Sequence, residues 1–241
     1  MDLSFTAPGC PWSEYELGNL VSCEARLCSW VRQPMNTVSN VAFLMVATIL
    51  LLRYRRGRHR SDLHFAILCT IVGAASAIGH AAQTRVLLYP DYLSQFLVFA
   101  YLIATGAARL NWIHARFRNA LALLLVTVAF APTLLFRPAG AYLVGTFITI
   151  LFVTEWTQHR RYPAATTHWL KGAVVFLVAA LLCYELDTQR IVCDPSNHWF
   201  QLHSLWHILS AASLGLVARH HLGLPSPAPK THIRTSAEFP S

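Results

Sequence analysis

The sequence predicts an all-α polytopic membrane protein: a bundle of seven transmembrane helices with its N-terminus outside and its C-terminus in the cytoplasm. Three observations carry this expectation. Of the 241 residues, 55% are hydrophobic and only 12% charged, which is too apolar and too charge-poor for a soluble domain of this length. Seven apolar runs are long enough to cross about 30 Å of hydrocarbon at 1.5 Å per residue. The basic residues lie in short clusters between those runs instead of along one polar face, so the net charge of +8 reads as a topology signal and not as the footprint of a nucleic-acid partner.

In chain order, an extracytoplasmic segment (1–35) comes first. It lacks a basic start followed by an apolar stretch and a small-residue cleavage site, so no removable signal peptide is expected. The apolar runs then fall at 36–52, 63–82, 92–110, 120–136, 139–156, 169–186 and 199–218, making one transmembrane domain over 36–219. The fourth and fifth runs are separated only by Arg137 and Pro138, so a single broken segment is the rival reading there, and Pro132 is expected to kink the fourth helix. Residues 220–241 form a proline-rich polar tail expected to be disordered in the cytoplasm and to carry no chemistry. No internal repeat is evident, so an inverted-repeat transporter gains no support.

Orientation follows from the basic residues, because cytoplasmic loops carry their excess. With the N-terminus outside, the inner side receives Arg53, Arg55, Arg56, Arg58 and Arg60, then Arg109, Arg116 and Arg118, then Arg160, Arg161 and Lys171, then Arg219, Lys230 and Arg234, fourteen of the nineteen. Cys69 and Cys183 lie inside apolar runs, whereas Cys10, Cys23, Cys28 and Cys193 lie in polar segments. If those segments share the outer side, a disulfide such as Cys23–Cys193 is available. Two lysines against seventeen arginines suit a GC-rich genome and point to a bacterial inner membrane.

Ionisable groups inside spans are costly and mark function. The second span carries Ser76 and His80, four residues apart and therefore on one face. The third begins at Asp91, and the seventh carries His203 and His207 at the same spacing. With twelve histidines, chance alone supplies about one such pair, so depth has to decide. The second span runs outward to His80 in its last turn, the third runs inward from Asp91, and the seventh meets His203 and His207 in its first two turns. All converge on the outer layer of the bundle. Three neutral imidazoles with an open fourth position are what catalytic zinc requires. Asp91 and Ser76 are then candidates to hold a water or a ligand histidine, against the plainer readings that Asp91 caps the third helix and Ser76 bonds its own helix backbone.

This constellation resembles the alkaline ceramidase family and the superfamily it shares with adiponectin-type receptors, haemolysin III-like proteins and enzymes that remodel GPI-anchor lipids. The matches are Ser76, His80, Asp91, His203 and His207. The likeness to ceramidases rests further on Cys23-Glu24, on Pro34-Met35-Asn36-Thr37-Val38-Ser39-Asn40, and on Gln201-Leu202-His203 with Trp206-His207-Ile208. The resemblance implies zinc on His80, His203 and His207, catalytic assistance from Asp91 and Ser76, and hydrolysis of the amide of ceramide or a related N-acyl sphingoid lipid that enters sideways from the bilayer. It also implies a calcium site using Glu24, but the sequence departs there. Gln33 stands where an acidic residue is usual, and the stretch from Asn19 to Ser22 does not match cleanly.

Three other readings stay open or fall on residues. A receptor-like or haemolysin III-like protein would keep the metal site with little turnover, and a proton-coupled transporter would use the histidines as a relay. A retinal protein needs a lysine in the last span, and residues 199–219 contain none. Glu185 and Asp187 read as solvated interfacial acids, and Glu155 with His159 as an i, i+4 pair at the inner interface. His198 lies off the face of the His203–His207 pair and is left out of the site. The sequence does not set the oligomeric state.

Overall fold

A computed structural model describes residues 7–18, 22–136, 139–163 and 166–224. Among these the chain is helical, with no strand beyond one isolated bridge between Leu17 and Thr84. A short helix, α1 (Pro34–Val38), leads into seven long ones: α2 (Val41–Gly57), α3 (Arg60–Ala82), α4 (Arg85–Arg109), α5 (Arg118–Leu135), α6 (Ala139–Arg161), α7 (Thr167–Thr188) and α8 (Leu202–Leu222). Six spans are long and apolar enough to cross a membrane, the first counted from Pro34 through α2. The exception is α8, which has the length but carries His203, His207, Arg219, His220 and His221.

The long helices match the seven expected runs and extend several of them. The largest difference is α4, which starts at Arg85 although Pro90 disfavours helix in the residue before it. The added turns are anchored from the N-terminal segment: Arg85 donates its backbone N–H to the Glu16 carbonyl and pairs with the Glu16 carboxylate at 3.0 Å. Asp91 is therefore in the second turn of α4, and the expectation that it caps this helix does not hold. α5 and α6 are separate helices packed side by side, with Pro132 inside α5; Arg137 and Pro138 lie outside the described residues. α8 continues past 219 to Leu222 with His220 and His221 buried, and 225–241, where most of the expected tail falls, lie outside the described residues.

Packing centres on α3, α4 and α8. α3 contacts α2, α4 and α8; α4 carries α5 and α6 on its other side; α8 carries α7. One apolar core joins Phe43, Leu50, Phe65, Cys69, Leu102 and Ala211, and a second joins Phe96, Ile103, Ala129 and Phe147. Without a hydrophobic driving force between helices in lipid, close approach depends on small residues. A Cβ on Gly73 would come within 3.0 Å of the Phe43 Cβ, so glycine is what lets α2 and α3 close up there. The outer helices present Leu123, Val128, Val175 and Leu182 outward, as lipid-facing walls do. α6 and α7 follow one another in sequence but are not packed together along their lengths, because one is held by α4 and α5 and the other by α8.

The N-terminal segment lies across the end of the bundle where α3 finishes and α4 and α8 begin. Gly18 N–H donates to the Gln83 carbonyl, Arg32 N–H to Ala81, and Ala25 N–H to Pro195. Two disulfides secure it, Cys10–Cys28 within the segment and Cys23–Cys193 to the loop before α8. The second is the pairing the polar cysteines made available. Cys69 and Cys183 are free.

Candidate metal centre

The site begins with helix registers. α3 delivers His80 in its last turn, and α8 delivers His203 and His207 from its first two turns, where a spacing of four sets both rings on one face. All three are buried, and their ring centroids are 4.9 Å apart in each pair. One ligand atom from each lies within 4.8 Å of the others, and this is the one cluster of three or more metal-capable side chains among the described residues.

What stands behind each ring decides what the ring can do. His80 Nδ1 lies 2.9 Å from Gln33 Oε1, an acceptor, so Nδ1 carries the proton and Nε2 keeps its lone pair. His207 Nδ1 lies 2.8 Å from Ser39 Oγ. That hydroxyl gives its own proton to the Asn36 carbonyl at 3.0 Å, so it too accepts from the ring. His203 Nδ1 faces Asp187 Oδ2 at 3.7 Å. An amide oxygen and a hydroxyl thus hold two of the rings by hydrogen bonds, as metal-ligating histidines are held, while the Asp187 carboxylate faces the third beyond hydrogen-bond length. Three neutral nitrogen donors with their lone pairs turned to a shared space fit zinc.

The groups behind the rings are themselves fixed. Gln33 Oε1 also accepts from Gln83 Nε2 at 2.7 Å, while Gln33 Nε2 donates to Ser22 Oγ at 2.6 Å and to the Glu24 carbonyl at 2.9 Å. Gln83 ends α3 in the left-handed region, at φ 52°, a conformation uncommon for a non-glycine residue. Glu24 takes the Met35 and Asn36 backbone N–H groups on its two carboxylate oxygens, both at 2.9 Å, and its Oε1 lies 3.1 Å from His198 Nδ1. It acts as the cap of α1, the helix that carries Asn36 towards Ser39 and Asn40. Glu24 stands outside the metal-capable cluster, so the expectation of calcium there gains nothing from this geometry.

Asp91 is buried on α4 and accepts hydrogen bonds from Ser76 and from Gln95. The Ser76 bond goes across to α4. Ser76 is one turn before His80, and Tyr184 of α7 has its ring 5.7 Å from that of His203 while lying within electrostatic reach of Asp91. Tyr184 thus stands near both the carboxylate and the histidines.

Several expectations are corrected. Asp187 is fully buried and not a solvated acid: it accepts from the backbone N–H of Cys23 at 2.8 Å and of His203 at 3.2 Å, tying the N-terminal segment to the start of α8. Glu185 is exposed as expected. Glu155 pairs with His221 at 3.0 Å instead of His159, whose Nδ1 meets Thr167 Oγ1 at 3.4 Å. Gln33, Ser39 and Asp187, the groups that stand behind the three rings, were not placed at the metal site by the sequence. Gln33 and Ser39 stood inside or beside the stretch singled out by resemblance, and Asp187 gave no signal beyond being an acid near a helix end.

No curated protein matches the chain. The family model described as Ceramidase matches residues 23–223, a stretch that runs from the cysteine beside Glu24 to the end of α8 and takes in Ser76, His80, Asp91, His203 and His207. That coverage shows the family: the chain belongs to the Ceramidase family.

Proposed function

We propose that this chain is a zinc-dependent intramembrane hydrolase that cleaves the amide bond of ceramide or a related N-acyl sphingoid lipid, releasing a sphingoid base and a fatty acid. The observation that carries this reading is the set of three buried histidines gathered around one point, two of them hydrogen-bonded from behind, with a buried carboxylate on a neighbouring helix. Zinc held by His80, His203 and His207 supplies Lewis acidity towards the amide carbonyl and towards water.

The remaining work falls to the chain's own groups. Asp91 takes the proton of the attacking water and returns it to the departing sphingoid nitrogen, so that one water is consumed and the amide becomes an acid and an amine. Ser76 and Gln95 hold the Asp91 carboxylate in one orientation, which keeps its basic oxygen aimed at the histidine face. The N-terminal segment closes the end of the bundle and limits bulk water. A two-chain lipid reaches the site from the side, and the absence of close packing between α6 and α7 among the described residues supports that route.

In this reading the site faces the extracytoplasmic side of a bacterial inner membrane. Both disulfides are at the site end, which suits an oxidising compartment, and the arginine clusters are at the other end. The test combines metal content with hydrolysis of a fluorescent N-acyl sphingosine by the detergent-purified chain, for wild type and His203→Ala. About one zinc per chain with turnover, both lost in the variant, supports the proposal. Zinc without turnover on any N-acyl lipid favours the receptor-like reading, and absence of metal defeats the site.

A further inference from the structure

Far from the histidines, α2 and α8 enclose a groove of about 350 Å³ that opens to the outside of the bundle. Its walls repeat one pattern. α2 contributes Val46, Leu50 and Arg53, and α8 contributes Ala212, Leu216 and Arg219, both at i, i+4, i+7. The two helices run in the same direction, since Ser39 just before α2 meets His207 near the start of α8. Each therefore presents two apolar turns that end in a guanidinium at the same level. Seven residues at 1.5 Å per residue make the groove about 10 Å long, within the roughly 15 Å depth of one leaflet.

The charges at its end are unequally engaged. Arg53 pairs with the buried Asp62 carboxylate at 3.2 Å. Arg219 is exposed, lies over the Trp169 ring at 5.1 Å and forms no ion pair among the described residues. Arg53 and Arg219 are within electrostatic reach of each other and of Asp62, so the mouth of the groove carries one net positive charge. Gly215 lies on the floor, where a Cβ would come 3.2 Å from Val46 Cγ1, and its lack of a side chain leaves the groove open.

We propose that this groove binds one anionic phospholipid of the leaflet at the arginine-rich end, with an acyl chain along α2 and α8 and the phosphodiester on Arg219 beside Arg53. The charge fits, because a phosphodiester has one negative charge to balance the single net positive one, and guanidinium groups hold phosphate oxygens in pairs. The depth fits too, since a chain anchored at headgroup level runs inward along the apolar walls. A neutral N-acyl sphingoid substrate has no use for the arginines, so this is a separate site from the metal centre.

The experiment uses the full purified chain in detergent, with phosphatidylglycerol titrated in and bound lipid counted by native mass spectrometry alongside thermal unfolding. Phosphatidylcholine and oleate serve as the neutral and single-chain anionic comparisons. A single saturable phosphatidylglycerol that raises Tm is expected, weakened about fivefold by Arg219→Gln and abolished by Ala212→Phe, which fills the groove. Arg116→Gln, an exposed arginine outside the groove, should leave binding unchanged. Equal binding of phosphatidylcholine, binding of oleate alone, a loss in Arg116→Gln as large as in Arg219→Gln, or binding that survives Ala212→Phe would each overturn the proposal. Arg219 is at the surface, so its substitution reports on lipid even where the groove-filling variant folds poorly.

Discussion

Buried histidines occur at both ends of this bundle, and their surroundings differ in one respect that matters. At the α3–α8 end, His80 and His207 are held through Nδ1 by Gln33 and Ser39, His203 Nδ1 faces Asp187 at 3.7 Å, and the three rings face one another. At the other end, His221 is held on both sides: Arg109 Nη1 donates to its Nδ1 at 3.1 Å and its Nε2 donates to Glu155 at 3.0 Å. Arg109 also donates to Gln158 at 3.3 Å, and His220 is bonded to Thr166. The first group leaves three lone pairs for a cation. The second compensates its own charges, with the guanidinium balancing the carboxylate across the ring, and stitches α4, α6 and α8 together. Burial and residue type are the same in the two clusters, and at His221 the engagement of the second ring nitrogen separates a clasp from a metal ligand.

The sharpest way to break this comparison is to exchange the readouts of the two ends. His207→Ala is expected to lower N-acyl sphingosine turnover by about 10⁴-fold or more, roughly 5 kcal/mol at 1.36 kcal/mol per decade, and to lose zinc while the chain still purifies as a folded monodisperse species. Turnover within tenfold of wild type would remove the triad from the chemistry. Glu155→Ala is the reciprocal change. It leaves Arg109 buried without its counter-charge and should cost about 3–5 kcal/mol of stability, seen as a lower thermal midpoint, with zinc content unaltered. A Glu155→Ala protein that keeps its midpoint but loses metal would mean that the two ends are not distinct.

Gln33→Leu tests the comparison within the metal end. It removes the oxygen that fixes the His80 tautomer and leaves Gln83 Nε2 with only its longer contact to His80 Nδ1 at 3.4 Å. A loss of about 10- to 100-fold in zinc affinity is expected, read by competition with a chelator at fixed pH. Gln33→Glu keeps an acceptor at the same place and should hold zinc at least as well as wild type. If both variants bind alike, Gln33 packs against His80 without orienting it.

The sequence disclosed the ligands better than their supports, for a physical reason. Helix periodicity places His203 and His207 on one face, and alternation of span direction brings His80 to the same depth, so three of the key residues follow from counting alone. Asp91 and Ser76 follow from the same depth argument, but their direct bond does not, because it depends on how α3 and α4 rotate against each other. Asp187 is invisible for a related reason: an acid at a helix end faces water by default, and only the N-terminal segment folding back through Cys23 buries it. Glu155 has two histidines in reach by sequence, His159 four residues along and His221 across the bundle, and local spacing selects the wrong one. The end of α8 was hidden by composition, since His220-His221 before a proline-rich stretch resembles the start of a polar tail until Glu155 and Arg109 supply partners.

Ser39→Ala should give the smallest effect of the series and the finest test of the arrangement. Its hydroxyl receives the His207 Nδ1 proton and passes its own to the Asn36 carbonyl, so the alanine leaves the ring donor without that acceptor in a buried setting. The loss of one such bond is worth about 0.5–1.5 kcal/mol, a decrease of about 2- to 13-fold in zinc affinity. Ser39→Thr retains the hydroxyl and should restore most of it. Because Glu24 fixes the helix start that presents Ser39, Glu24→Gln should move zinc affinity in the same direction through α1, and pairing it with Ser39→Ala should be less than additive. Full additivity would show that Glu24 acts on the metal end by some route other than the placement of Ser39.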